Sequence, residues 1–155
     1  MMIIRPIELK DIDKVFNHAY QLAMRTGVMS PDFVLTKNKL LSDLFGNQAD
    51  WHGLVIDDHG SVLGSCLYSF ANTNRAFNLT PCLFLDILFV EAEYQRMGLG
   101  KMLMDNLKKI AQEKDITRIE FWCMKDNISS SEFYKSIGAK KIDLFDIYNL
   151  STLDS

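Results

Sequence analysis

The most constraining feature of the sequence is an apolar run, C-L-F-L-D-I-L-F-V (82–90), which leads into a turn containing Gly98 and Gly100. A short apolar run bounded by polar residues predicts a buried strand. Apolar residues then recur at helical spacing after the turn: Leu99, Leu103, Leu107 and Ile110. The chain is therefore expected to contain a strand–turn–helix unit, against which its other elements pack.

The glycine turn has the composition of an anion-binding site. Glycine allows backbone conformations that other residues avoid and lets a ligand approach closely. A helix N-terminus leaves its first N–H groups unpaired and carries a partial positive charge, which favours phosphate. Gln95, Arg96 and Lys101 add side-chain donors beside Gly98 and Gly100. The stretch predicts a cradle for phosphate or diphosphate, although the glycines alone also fit a plain tight turn.

Two named phosphate-binding motifs do not match the turn. A P-loop requires Ser or Thr after Gly-Lys, whereas Met102 follows Gly100 and Lys101, and Gln95 occupies the place of the first glycine. A dinucleotide fingerprint requires a third Gly or Ala, and that position holds Leu103. The turn therefore belongs to neither class.

Two stretches carry a resemblance to a known family. Y-Q-R-M-G-L-G-K-M-L (94–103) resembles the Q/R-x-x-G-x-G/A signature of the GCN5-related N-acetyltransferases. N-I-S-S-S-E-F-Y-K-S-I-G-A-K-K-I (127–142) resembles their second signature, at a fitting distance. The resemblance covers residues 82–150 and extends loosely to the opening segment 3–15. Within the family, the C-terminal half is most similar to the diamine and polyamine acetyltransferases.

The order of the elements predicts helices first, then strands, then alternating strands and helices. Thr36 is placed to cap the second helix, and the first helix is expected to break at Gly27 and at M-S-P-D-F (29–33). D-H-G (58–60) separates two apolar runs and predicts a hairpin.

These elements predict an α/β fold on one mixed sheet of about six or seven strands, with about four helices. A late strand is expected in T-R-I-E-F-W-C-M (117–124), and two more in K-K-I-D-L (140–144) and F-D-I-Y-N-L (145–150). We expect a single domain over residues 1–155. The resemblance implies an acyl-CoA N-acyltransferase fold in which the strands before and after the third helix splay apart.

The resemblance also implies acetyl-CoA as the cofactor. The backbone of residues 88–90 is then expected to pair with its pantetheine arm, and the amides of 96–101 to hold its diphosphate. Residues at the start of the last helix line the far side of the slot. The expected cofactor-binding residues are Leu88, Phe89, Val90, Gln95, Arg96, Met97, Gly98, Leu99, Gly100, Lys101, Asn127, Ser130 and Phe133.

Acetyl transfer to an amine needs a neutral amine, a stabilised oxyanion and a protonated leaving thiol, so a base and an acid are sought. The resemblance places Tyr134 near the cofactor sulfur as the acid. The alternative for Tyr134 is a core tyrosine packed beside Phe133 and Ile137.

Asp86 is the candidate base because it interrupts an otherwise apolar strand, where burial is expected to raise its pKa. It aligns with a glutamate that serves as base in the polyamine-type members, although aspartate is one methylene shorter. The alternative is an aspartate at a strand bulge, bonded to backbone. Glu120 and Asp146 are weaker candidates.

Composition narrows the possible partners. A net charge of -3 gives no support for nucleic acid binding, and no apolar run approaches the ~20 residues of a membrane-spanning helix. The N-terminus does not resemble a signal peptide.

The cysteines lie apart within apolar runs and predict buried free thiols in a reducing, cytoplasmic compartment. No spacing suggests a metal site. The cysteines are Cys66, Cys82 and Cys123, and the histidines are His18, His52 and His59.

The expected function is transfer of acetyl from acetyl-CoA to a primary amine of a small molecule or a protein, by direct attack in a ternary complex. The alternatives are a non-catalytic acyl-CoA-binding sensor on the same fold and an unrelated structural domain. A homodimer is expected because terminal strands join subunits in many members. The sequence does not fix the acceptor.

Overall fold

The computed structural model describes residues 1–26 and 33–153 of the chain. The expected helix break at Gly27 and most of M-S-P-D-F lie outside the described residues. The strands are β1 (Met2–Pro6), β2 (His52–Asp58), β3 (Ser61–Ala71), β4 (Cys82–Val90) and β5 (Ile119–Phe121). The α-helices are α1 (Ile12–Thr26), α2 (Lys37–Phe45), α3 (Leu99–Glu113) and α4 (Ile128–Ser136). Short 3₁₀ turns precede α1 and α3, at Leu9–Asp11 and Ala92–Tyr94.

The strands form one mixed sheet in the order β1-β2-β3-β4-β5. The first four strands pair antiparallel, whereas β4 and β5 pair parallel across the α3 crossover. The predicted mixed α/β fold with four helices is confirmed. Within the described residues, however, the sheet has five strands rather than six or seven.

The missing strands are the two expected near the C-terminus. Residues 140–144 and 145–150 have strand-like apolar alternation but make no sheet pairing in the structure. Leu144, Ile147 and Leu150 are exposed there. A strand is stabilised mainly by cross-strand and core contacts, so alternation without a paired neighbour does not make one. The strand β5 is also shorter than the expected segment 117–124.

The chain divides into two compact units, Met1–Met124 and Lys125–Ser155. The first unit contains the whole sheet with α1, α2 and α3, and the second contains α4. The expected single domain over 1–155 stays a prediction.

Local sequence signals correctly predict where several helices and strands begin or end. The Thr36 side chain accepts a hydrogen bond from the Lys39 backbone N–H and caps α2, as expected. His59 and Gly60 both adopt positive φ between β2 and β3, which is the turn that a two-residue hairpin needs. Gly138 follows α4 with φ of 91°.

One hydrophobic core cluster lies between the sheet and the first two helices. Val15 of α1, Leu40 of α2 and Leu67 of β3 belong to one buried cluster. The helix α3 buries a separate apolar stripe: Leu99, Leu103, Met104, Leu107 and Ala111. Across residues 1–26 and 33–153, every helix falls short of the length and apolarity that crossing a membrane requires.

Candidate active site

The glycine turn between β4 and α3 adopts an unusual backbone conformation. Arg96 has φ of 65° and Gly98 has φ of 80°, so both residues are left-handed. Gly98 is the N-cap of α3. Left-handed residues alternating with ordinary ones turn consecutive N–H groups toward one side, which creates an anion-binding concavity.

Within the described part of the chain, the backbone N–H groups of this turn have no acceptor. Among the described residues, none accepts a hydrogen bond from the backbone N–H groups of 96–101. The first helical bond of α3 runs from the N–H of Met102 to the carbonyl of Gly98, at 3.0 Å. The unpaired donors and the positive end of the α3 dipole therefore face the same place.

Two of the side chains expected to assist the turn are engaged within the protein. Nε2 of Gln95 donates to the carbonyl oxygen of Val90 at 3.1 Å, which ties the turn to the end of β4. Nζ of Lys101 pairs with Oδ2 of Asp105 at 2.9 Å on the exposed face of α3. Lysine has three donors, so this ion pair leaves Lys101 able to contact a further anion.

The strands β4 and β5 pair over only part of their length. Their ladder joins Leu83 to Ile119, Phe84 to Glu120 and Leu85 to Phe121, and no later pair is present among the described residues. Beyond Asp86, the remainder of β4, residues 87–90, pairs among the described residues with β3 alone. This partial pairing has the form of the expected splayed strands, with an open main-chain edge leading toward the turn.

Asp86 stands at the point where the pairing changes. Across β3, Leu67 faces Ile87 and Tyr68 faces Leu85, so Asp86 is the extra residue of a β-bulge. Its carboxylate Oδ2 accepts a 2.7 Å hydrogen bond from the indole Nε1 of Trp51. The bulge considered in the sequence analysis is present, but the bond goes to a side chain rather than to backbone.

The expectation that Asp86 is buried is wrong, because the bulge leaves its side chain exposed. Partial desolvation by the surrounding protein nevertheless raises the pKa of Asp86 above its ordinary value. The hydrogen bond from Trp51 favours the ionised carboxylate and opposes that rise. Asp86 thus combines solvent access with a pKa moved toward that of a base working near neutral pH.

A buried polar network, which the sequence analysis passed over, lies behind this part of β4. His18 of α1 is fully buried, with Nδ1 2.7 Å from Oγ of Ser65 and Nε2 3.2 Å from Oε1 of Glu91. Nζ of Lys14 pairs with the same Glu91 oxygen at 2.6 Å. A neutral imidazole that donates from Nε2 and accepts at Nδ1 satisfies both neighbours. The sequence signal was available, since His18 falls on the apolar stripe of α1 three residues after Val15.

Charge in this network is set by burial and by the ion pair. Desolvation lowers the pKa of His18, and the nearby Glu91 carboxylate only partly opposes that effect. Burial works to raise the pKa of Glu91, but hydrogen bonds from Lys14 and His18 outweigh it and lower the pKa. A neutral histidine beside an ionised glutamate is the favoured state at neutral pH. Glu91 directly follows β4, so the network anchors the strand end before the turn.

The remaining predicted site residues lie in the second unit, on or beside α4. Asn127 is the N-cap of α4, and its side-chain oxygen accepts from the Ser130 N–H at 3.1 Å. The rings of Phe133 and Tyr134 are both half-buried, with centroids 5.4 Å apart. The structure thus gives Asn127 a helix-capping role, and the roles of these residues toward a cofactor stay predictions.

Glu120, one of the two weaker base candidates, and the three cysteines also have defined environments in the structure. Oε1 of Glu120 accepts a 2.9 Å hydrogen bond from the Arg118 guanidinium and forms an ion pair with it, which indicates a structural role. Cys66 and Cys82 are buried free thiols as expected, and burial raises the pKa of Cys66 to about 12. Cys123 is exposed rather than buried, because β5 ends before it.

Comparison with known proteins identifies a family whose characteristic sequence spans most of the helices and strands described above. A family model described as the acetyltransferase (GNAT) family matches residues 16–139, from α1 to the end of α4. Thialysine N-epsilon-acetyltransferase of Sus scrofa is 21% identical over 119 residues, covering 74% of this chain and 70% of the relative.

Solved structures share the fold at low sequence identity. A possible acetyltransferase from Clostridium difficile 630 superposes with a TM-score of 0.80 and 20% identity, covering 99% of both chains. Aminoglycoside N-acetyltransferase AAC(6')-Iy in complex with CoA gives a TM-score of 0.76 and 16% identity, covering 97% of this chain and 95% of that one. These likenesses support the mixed α/β fold described above.

Proposed function

The chain belongs to the acetyltransferase (GNAT) family and is an acetyl-CoA-dependent N-acetyltransferase, and we propose that it acetylates a primary amine by direct attack in a ternary complex. The acceptor is a small molecule or a protein amine. The observation that carries the proposal is the row of unpaired N–H groups at 96–101, beside the open edge of β4.

The chain's own groups suit acetyl-CoA in shape and chemistry. The turn amides and the α3 dipole offer the donors that a diphosphate needs. The unpaired edge of β4 at residues 88–90 offers main-chain partners to an arm that contains amides. Acetyl-CoA supplies the acetyl thioester, and these residues bind it and orient it. Asn127, Ser130 and Phe133 are proposed as further cofactor-binding residues.

Asp86 is proposed as the base. An amine attacks only when neutral, so the ammonium must lose a proton, and Asp86 is exposed with a raised pKa. It accepts that proton directly or through one water. The ionised carboxylate also attracts a cationic acceptor before the proton moves.

Tyr134 is proposed as the acid. As the nitrogen–carbon bond forms and the carbon–sulfur bond breaks, the departing thiolate takes a proton from the Tyr134 hydroxyl. The acetylated nitrogen then loses its second proton, which returns to the Tyr134 oxygen directly or through water, so that a neutral thiol and the amide are released. A main-chain N–H of β4 stabilises the oxyanion of the tetrahedral intermediate.

The relatives narrow the acceptor only to amines. The thialysine enzyme and the aminoglycoside enzyme are both named for amine-bearing small molecules. We propose a small cationic amine as the first acceptor class to test, because Asp86 is an exposed carboxylate at the bulge. A homodimer and a cytoplasmic location are proposed as well. The exposure of the apolar side chains Leu144, Ile147 and Leu150 supports the homodimer, since a partner subunit would remove them from water.

A screen of amines tests the proposal directly. Purified protein is mixed with acetyl-CoA and panels of polyamines, amino acids, aminoglycosides and peptides, and free CoA thiol is measured. We expect thiol release above background with at least one cationic amine, and its loss in Asp86→Asn. Binding of CoA without release for any acceptor would instead indicate a non-catalytic acyl-CoA sensor.

A further inference from the structure

We infer that Trp51 is a positioning residue for Asp86, holding one carboxylate oxygen with its indole N–H and leaving the other for the acceptor amine. The inference rests on the proposed function, since it assigns a partner to the proposed base. It concerns a residue that no sequence motif marks.

The contact itself is short and specific. Nε1 of Trp51 lies 2.7 Å from Oδ2 of Asp86, and an indole N–H is a donor only. Hydrogen bonds to an ionised carboxylate are stronger than neutral ones, so this contact favours one orientation of the group. No described residue donates to the second oxygen, Oδ1. One oxygen is therefore fixed, and the other remains available on the exposed side of the strand.

The bulge makes such a partner necessary. Asp86 is the unopposed residue between the Leu85 and Ile87 pairs, so no cross-strand neighbour restrains its side chain. Bulges commonly redirect a side chain near a functional site, at the cost of local order in the ladder. The indole bond supplies the restraint that the ladder lacks at this position.

Trp51 is itself held in place from two directions. Its backbone N–H donates to the carbonyl of Asp43 at 3.1 Å, which ties it to the end of α2. Its side chain packs against the core cluster that contains Leu40 and Leu67. The donor is thus set by the core before any substrate binds, and reorganisation during the reaction is small.

The chemical consequence follows from the two opposed effects on the carboxyl group. Desolvation disfavours the ionised form, whereas the indole bond favours it. Loss of the indole bond should therefore raise the pKa of Asp86 further. A larger fraction of the base would then be protonated at a given acidic pH, and kcat/KM would fall there first.

The test compares the titration of Asp86 with and without the indole N–H. Carboxyl ¹³C spectra give the titration midpoint, and the Asp86 resonance is identified by its absence in Asp86→Asn. In Trp51→Phe we expect the midpoint and the acidic limb of kcat/KM to move to higher pH together, with CoA affinity unchanged. Trp122→Phe is the matched control, since the chain has two tryptophans and Trp122 is exposed against Phe84.

A second form of the test avoids loss of packing. In a Trp122→Phe background, tryptophan is replaced during expression by benzothienylalanine, which keeps the shape of the indole and lacks its N–H. The same upward movement of the Asp86 midpoint is expected. An unchanged midpoint in this protein, or an unchanged acidic limb despite a moved midpoint, would overturn the inference.

Failure of the proposed function would give a different result. If no amine is acetylated by the wild-type protein, the enzyme assignment of Asp86 falls. The carboxyl titration does not depend on turnover, so it still shows whether Trp51 controls the ionisation of Asp86.

Discussion

The imidazole of His18 stacks on the ring of Phe89, with ring centroids 4.7 Å apart and an interplanar angle of 27°. Arg25 also contacts the Phe89 ring, with its guanidinium carbon 4.4 Å from the ring centroid. Together with the bonds from His18 to Ser65 and Glu91, this stacking joins α1 to the part of β4 proposed to bind pantetheine.

Stability should therefore depend on the charge of His18. The unfolded chain binds a proton to this histidine near its ordinary pKa of 6.5, whereas burial lowers the folded pKa. As pH falls below the unfolded value, the unfolded state takes up more protons, so the free energy of unfolding falls by up to about 1.4 kcal/mol per pH unit. Urea unfolding between about pH 8 and about pH 5 measures this slope.

The variant His18→Gln isolates the histidine contribution. It is expected to be less stable at neutral pH, because the stacking and the bonds to Ser65 and Glu91 are altered. Its stability should nevertheless fall less steeply over the same pH interval. Equal slopes for both proteins would mean that His18 does not titrate with unfolding.

The left-handed glycines offer a matched pair of substitutions. Gly98 and Gly60 have φ of 80° and 91°, and a Cβ at either position meets no atom within 4 Å. Alanine should therefore cost about 1–2 kcal/mol of unfolding free energy at each site, through backbone strain rather than a clash. Only Gly98→Ala is expected to weaken CoA binding as well, because Gly98 shapes the anion-binding turn. Chemical unfolding and calorimetric CoA titration give both values.

The hairpin glycine is the control in this comparison. If Gly60→Ala weakened CoA binding as much as Gly98→Ala, the loss would reflect general destabilisation. If Gly98→Ala bound CoA with full affinity, the conformation of the turn would not matter for the cofactor.

Most of the fold follows from local sequence signals, and the fine structure of the site does not. Rules that involve only neighbouring residues predict the helix cap at Thr36, the hairpin at D-H-G and the turn at Gly138 after α4. The bulge at Asp86 depends on the register of β3 against β4, which is a long-range property. The Trp51 bond joins residues 35 positions apart, so spacing along the chain carries no trace of it.

At residues 140–150 the local sequence predicts strands that the structure does not contain. Residues 140–150 have the apolar alternation that is typical of strands. Strand formation, however, requires pairing with a neighbouring strand, and residues 140–150 pair with none of the five described strands. The sequence alone does not predict the burial of His18, for a related reason. A histidine on an apolar helix face becomes buried only if partners such as Ser65 and Glu91 exist elsewhere in the chain.

Substitution of the proposed base or acid should lower the rate of acetyl transfer without weakening the binding of CoA. Asp86→Asn and Tyr134→Phe are each expected to lower kcat by about 10²-fold or more, as loss of a general base or acid does. Neither should change CoA affinity appreciably. Steady-state kinetics on the best acceptor, with calorimetry for CoA, provide the measurement. Full activity in Tyr134→Phe would remove it as the acid, and the core-tyrosine alternative would then stand.

The pair formed by Lys101 and Asp105 should modulate cofactor binding. Asp105 holds Nζ of Lys101 at 2.9 Å and adds a negative charge near the turn. Asp105→Asn is therefore expected to strengthen CoA binding modestly, by about two-fold, as exposed ion pairs are weak. Glu113→Gln removes one charge from the far end of α3 and serves as the control. Weaker CoA binding in Asp105→Asn would argue that the pair positions Lys101 for the ligand.

The central claim is that the backbone N–H groups of the turn bind the diphosphate of acetyl-CoA. NMR spectra of the backbone amides test it most directly. A ¹⁵N-labelled chain is titrated with CoA and, separately, with acetylpantetheine, which lacks the diphosphate. We expect CoA to shift the resonances of residues 96–101 strongly and acetylpantetheine to move mainly those of residues 88–90. Saturable CoA binding that leaves the resonances of residues 96–101 unmoved would contradict the account.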